Sequence, residues 1–147
     1  MPDYDDPAVE ERWCAERRAE VAAYLAREKV VHGEIGEWPA WHIAPIASIW
    51  AIESKKSPGW VGWWVISGDL PCDYVSASDI KHPRDALRAI AESWLAQSEV
   101  MARGETSPEL SIGPREEWPS LAPLLKSRAS TLLDIADDHE VWAEDDL

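Results

Sequence analysis

Two short apolar runs on either side of a turn constrain this chain more than any other feature in it. Ile46 to Glu53 ("IASIWAIE") and Trp60 to Ser67 ("WVGWWVIS") are rich in β-branched and aromatic residues, and "SKKSPG" stands between them with Pro58-Gly59 as a turn signal. Together they predict an antiparallel β-hairpin. Nearly every position in both runs is apolar. Ile46, Trp50 and Ile52 fall on one face, and Ala47, Ile49 and Ala51 on the other. Such strands are expected to be covered on both sides. Trp63 and Trp64 are adjacent and point to opposite faces, so one at most can line a given pocket.

Helical patterns flank the hairpin. From Pro7 to about Val30 the chain is rich in Ala, Glu and Arg, with Asp5 and Asp6 as capping candidates ahead of Pro7. At 100° per residue, Trp13, Cys14, Val21, Tyr24 and Leu25 share an arc of about 120°, the width of a core-facing stripe. Arg17 lies inside that arc, either snorkelling to the rim or buried against an internal carboxylate. "HGEIGEWPAWHIAP" holds two glycines and two prolines and reads as a loop or irregular crossing. Tyr74 to Ala77 could supply a short third strand.

"HPRDALRAIAESWLAQSEVMARG" predicts a second helix with Pro83 at its start and Gly104 at its end, burying Leu87, Ile90, Ala91, Trp94, Leu95 and Met101. A polar, Pro-rich connection follows. A last helix is expected from about Ser120, burying Leu121, Leu124, Leu125, Leu132, Ile135 and Ala136. A chain of 147 residues is the size of one domain. The expectation is therefore a single α+β domain over 1–147, with acidic ends 1–6 and 143–147 frayed. It has a small central antiparallel sheet of two or three strands flanked by three helices, in the order α-β-β-(β)-α-α.

Charge narrows the partners. The formal net charge is −14, from 28 acidic and 14 basic residues. Nucleic acid and anionic membrane surfaces are poor partners for such a chain, because both need a basic patch. There is no apolar run long enough to span a bilayer and no secretion-signal pattern at the N-terminus, so the expected location is the cytoplasm. Cys14 and Cys72 are then expected as reduced thiols without metal-ligand spacing. Ten Trp and no Phe mean that nearly every buried ring brings an indole N–H that needs an internal acceptor.

No motif names a reaction. G-x-S-x-G, H-E-x-x-H, a phosphate-cradling glycine loop and C-x-x-C are all absent from the sequence, and no cofactor is expected. Three constellations remain. Asp69, Asp73, Ser76, Ser78, Asp79, His82 and Asp85 could hold a cation or act as acid and base, or serve only as turn and cap residues. His32 and His42 flank the glycine loop and could form a polar pocket with Glu34, Glu37 and Glu53. Trp38, Trp41, Trp60, Trp63 and Trp64 could wall a ligand site or fill the core.

The stretch "WPAWHIAPIASIWAIESKKSPGWVGWWVISGDLPCDYV" followed by "HPRDALRAIAESW" resembles a family of small bacterial proteins classed as domain of unknown function 4826. Its G-D-x-P-x-D-Y segment falls on Gly68, Asp69, Pro71, Asp73 and Tyr74, and its R-x-A-x-x-x-x-W helix runs from Arg84 or Arg88 to Trp94. The resemblance implies a bacterial, non-secreted protein and carries no activity. The functional expectation is a non-enzymatic acidic protein that engages a basic protein partner, with a toxin-neutralising immunity protein as one concrete form. Its candidate binding residues are Glu34, Glu37, Trp38, Trp41, His42, Glu53, Asp73, Asp79 and His82. The alternative is a small enzyme, or a ligand or metal binder, using the Asp/His corner beside a tryptophan wall.

Overall fold

The computed structural model describes residues 3–103 and 118–142. The chain divides into two compact units, Met1–Ala86 and Leu87–Leu147.

The first unit opens with helix α1 (Pro7–Arg27). Asp3 to Asp6 form a hydrogen-bonded turn, and the Asp6 carboxylate caps the helix by accepting the Ala8 N–H. A four-stranded antiparallel meander follows, with β1 (Trp41–Ile43), β2 (Ala47–Glu53), β3 (Val61–Gly68) and β4 (Leu70–Ser76) in spatial order β1-β2-β3-β4. The hairpin is β2–β3, registered at Ile49↔Ile66 and Trp50↔Val65. All five residues of the expected α1 stripe are buried. Val21, Tyr24 and Leu25 pack on Trp50, Ile52 and Val65, with Trp63, Cys72 and Tyr74 at the margin. Arg17 is half-buried at the rim, its guanidinium over the Trp13 ring and beside Glu20.

The sheet has four strands where two or three were expected. The additional strand is β1, inside the segment read as irregular; it is only three residues long and lies between proline-containing turns. β4 starts at Leu70 rather than Tyr74, because Asp69 alone joins it to β3. Gly68 permits that reversal with φ of +155°, and a Cβ there would stand 2.4 Å from the Ile46 carbonyl oxygen. Pro71 lies in this edge strand, where a residue without an N–H is tolerated.

Helix α2 (Pro83–Ala102) begins in the first unit and continues into the second, which also holds α3 (Trp118–Asp137) and a short α4 (His139–Trp142). Arg88 on α2 donates to Ala136 O and to the Asp137 carboxylate on α3. Ser98 and Ala102 line a groove with Ala122 and Lys126, so the two helices run antiparallel. The buried stripe of α3 is Ala122, Leu125, Ala129, Leu132 and Ala136. Leu124, expected inside, is 59 % exposed; the small alanines set the phase of the helix, and Leu124 falls off their stripe. Gly104 and the polar connection after it lie outside the described residues, as does the acidic end 143–147.

The indoles find acceptors. Trp50 Nε1 donates to Ser48 Oγ, Trp64 Nε1 to Ile80 O and Trp142 Nε1 to Ile135 O, at 2.9, 2.9 and 3.0 Å. Trp64 is 5 % exposed and Trp50 fully buried.

Candidate functional site

Segment 33–36 continues the sheet along the edge of β2 that β1 leaves open. Gly33 N–H donates to Glu53 O, Glu53 N–H to Glu34 O and Gly36 N–H to Ala51 O. Arg18 on α1 holds the segment from the other side, with Nε donating to Gly36 O and Nη2 to Ile35 O. The planar fork of arginine suits this double contact. Glu34 and Glu37 are thereby set beside Glu53 and Trp60 around a groove of about 320 Å³.

Glu53 is structurally engaged: its carboxylate oxygens accept the Glu34 N–H at 3.4 Å and the Gly59 N–H at 3.1 Å. The carboxylates of Glu34 and Glu37 are exposed and have no ion-pair or hydrogen-bond partner among the described residues. Trp60 is 72 % exposed, an unusual position for an aromatic of that size.

Glu37 also lines a second groove of about 560 Å³, with Glu10, Glu11, Cys14, Arg18 and Trp38. Trp38 is 48 % exposed and meets His42 edge-on at 5.5 Å. His42 also stacks on Trp13, with ring centroids 6.2 Å apart, and its Nε2 lies 3.6 Å from Glu10 Oε2. Sharing Glu37, the two grooves form one acidic surface with two exposed indoles. Trp41 contributes little to it, being 9 % exposed.

Asp73, Asp79 and His82 line neither groove. Asp73 lies in β4, where its Oδ1 accepts the Tyr74 N–H. His82 precedes α2 and caps it: Nδ1 accepts the Arg84 N–H at 3.0 Å, and its carbonyl accepts from Asp85 and Ala86. Asp79 is exposed in the bend between β4 and α2. Among the described residues no group of three or more His, Cys, Asp or Glu is placed to hold a metal ion.

One polar network has no counterpart in the sequence reading. Ser67 Oγ donates to Glu20 Oε1 at 2.6 Å, Cys72 Sγ donates to the same oxygen at 3.3 Å, and Ser48 Oγ donates to Ser67 O at 2.8 Å. The only available signal was the placement of Ser48 and Ser67 within apolar strands, which asks for a partner but does not say which. Burial and the bond to Glu20 push the Cys72 thiol up to about 12; burial and Glu10 push Cys14 up to about 11. Both cysteines are free, and thiols so raised are poor nucleophiles at neutral pH.

The fold and surface therefore define an α+β protein with a four-stranded antiparallel meander and an acidic, tryptophan-bearing face. The chain belongs to the family described as Domain of unknown function (DUF4826), whose model matches residues 8–142. No curated protein and no solved structure matches it. Among the described residues no helix is long and apolar enough to cross a membrane.

Proposed function

We propose that this protein is a non-enzymatic binding protein of the cytoplasm that docks a basic protein partner on the surface formed by Glu34, Glu37, Glu53, Trp38 and Trp60. A toxin-neutralising immunity protein is the concrete form of this reading. The observation that carries it is that the carboxylates of Glu34 and Glu37, unpartnered among the described residues, stand beside Trp60, which is 72 % exposed. Carboxylates draw a cationic partner and fix its register. Exposed tryptophans supply the area and cation–π contacts that hold it. The net charge of −14 extends the attraction, and the Arg18 clamp keeps segment 33–36 in place before binding.

The test is affinity capture from the native host with the intact protein as bait, beside a Glu34→Gln/Glu37→Gln/Trp60→Ala variant. Recovery of a basic protein by the parent and its loss from the variant is the expected outcome. Acidic or uncharged partners only, or equal recovery by the variant, would contradict the proposal.

A further inference from the structure

The lysines of this acidic chain are not spread evenly. Of the five in the sequence, Lys29, Lys55 and Lys56 line a single groove of about 420 Å³ in the first unit, a volume within the range of small-ligand sites. Its walls include Trp63 and Tyr74, both half-buried and set edge-to-face at 5.5 Å and 80°. Among the described residues none of the three ammonium groups has an ion-pair or hydrogen-bond partner. Carboxylates outnumber cations two to one in the whole chain, so partners would be easy to supply; only Glu28 shares the lining.

Lys29 adds an independent sign. It follows the last turn of α1 with φ of +58°, its N–H donating to Ala26 O while the Val30 N–H donates to Leu25 O. In this helix stop glycine is the usual occupant, because other residues are strained in the left-handed region. Here a long cationic residue occupies that strained position and lines the groove.

We propose that this groove binds a small phosphomonoester carrying a planar aromatic ring. The lining has an excess of two positive charges, and a phosphomonoester carries about −1.5 to −2 at neutral pH. Lysine ammonium groups suit its tetrahedral oxygens as point charges. Trp63 and Tyr74 supply apolar walls for the ring, as aromatic side chains do for bases. The overall negative charge does not forbid this, since screening over about 8 Å leaves the ligand under the local lysines. The site is distinct from the acidic surface and does not rest on that reading.

Calorimetric titration of the full chain with phenyl phosphate, inorganic phosphate and phenol tests it. Phenyl phosphate should bind about tenfold or more tightly than either fragment, and Lys55→Ala/Lys56→Ala should weaken it about tenfold. Lys29→Gly should also weaken binding while raising the melting temperature, a combination that damage to the fold would not give. Equal affinity for phenyl phosphate and inorganic phosphate, affinity unchanged in the lysine variants, or no phenyl phosphate binding at millimolar concentration would overturn the proposal.

Discussion

Arg18 donates two hydrogen bonds of 2.9 Å, from Nε to Gly36 O and from Nη2 to Ile35 O. Through them a helix laid down early in the chain fixes the segment that presents Glu34 and Glu37. A charged hydrogen bond contributes about 1.5–3 kcal/mol, so Arg18→Ala should lower unfolding stability by about that amount. Arg18→Lys should recover little, because an ammonium cannot reproduce the fork. Hydrogen exchange of the Gly36 and Glu53 amides should accelerate in both variants; unchanged protection would show that the clamp does not hold the segment.

The tryptophans divide into core and surface. Trp50→Ala empties a fully buried site and should cost about 3–5 kcal/mol. Trp60→Ala should stay within about 0.5 kcal/mol of the parent, as surface substitutions do. Denaturant unfolding of both variants decides this, and a large loss on removing Trp60 would make it a packing residue.

This division was partly legible in the sequence. The hairpin, the α1 stripe and the placing of Trp63 and Trp64 on opposite faces are local patterns, fixed by periods of 2 and 3.6; that Trp64 is the buried one is seen only in the structure. β1 and the pairing of segment 33–36 were not legible, because their partners lie in β2 and their own residues carry glycine and proline signals. Of the polar group read from the sequence, Glu34, Glu37 and Glu53 meet at one groove, whereas His32 and His42 are not on its lining. Asp73, Asp79 and His82 were candidates for the same surface, yet none of them lines it. Arg18, Glu20 and the lysine groove escaped notice, since each gains its meaning from residues distant in the chain.

Gly68 lies closer to neighbouring backbone than the other described glycines. A methyl group at this position meets the Ile46 carbonyl and Ala47 Cα, backbone atoms that cannot rotate away. Gly68→Ala should therefore cost at least about 2 kcal/mol, combining an unfavourable φ with overpacking. Thermal melting checks it; a variant as stable as the parent would mean that β2 and β3 can yield at this end to admit a methyl group.

The two thiols predict an alkaline limit. Their folded values, about 11 for Cys14 and about 12 for Cys72, lie above the ordinary 9.0. The folded state thus keeps protons that the unfolded chain releases, and stability is full below pH 9.0 and falls as pH rises toward those values. Cys72→Ser should flatten part of that decline in pH-dependent melting. Both cysteines should resist alkylation at neutral pH until the chain unfolds; rapid labelling of the native protein would contradict their burial.

The central claim is that the acidic surface attracts a basic partner, and the salt dependence of association tests it most directly. With the captured partner in hand, the association rate constant should fall about tenfold or more between about 20 and 500 mM salt, as screening shortens the reach of exposed charges. The Glu34→Gln/Glu37→Gln variant should start slower and show a shallower slope. A rate that does not change across that range, or an equal slope in the variant, would mean that these carboxylates serve solubility and that the partner is recognised elsewhere.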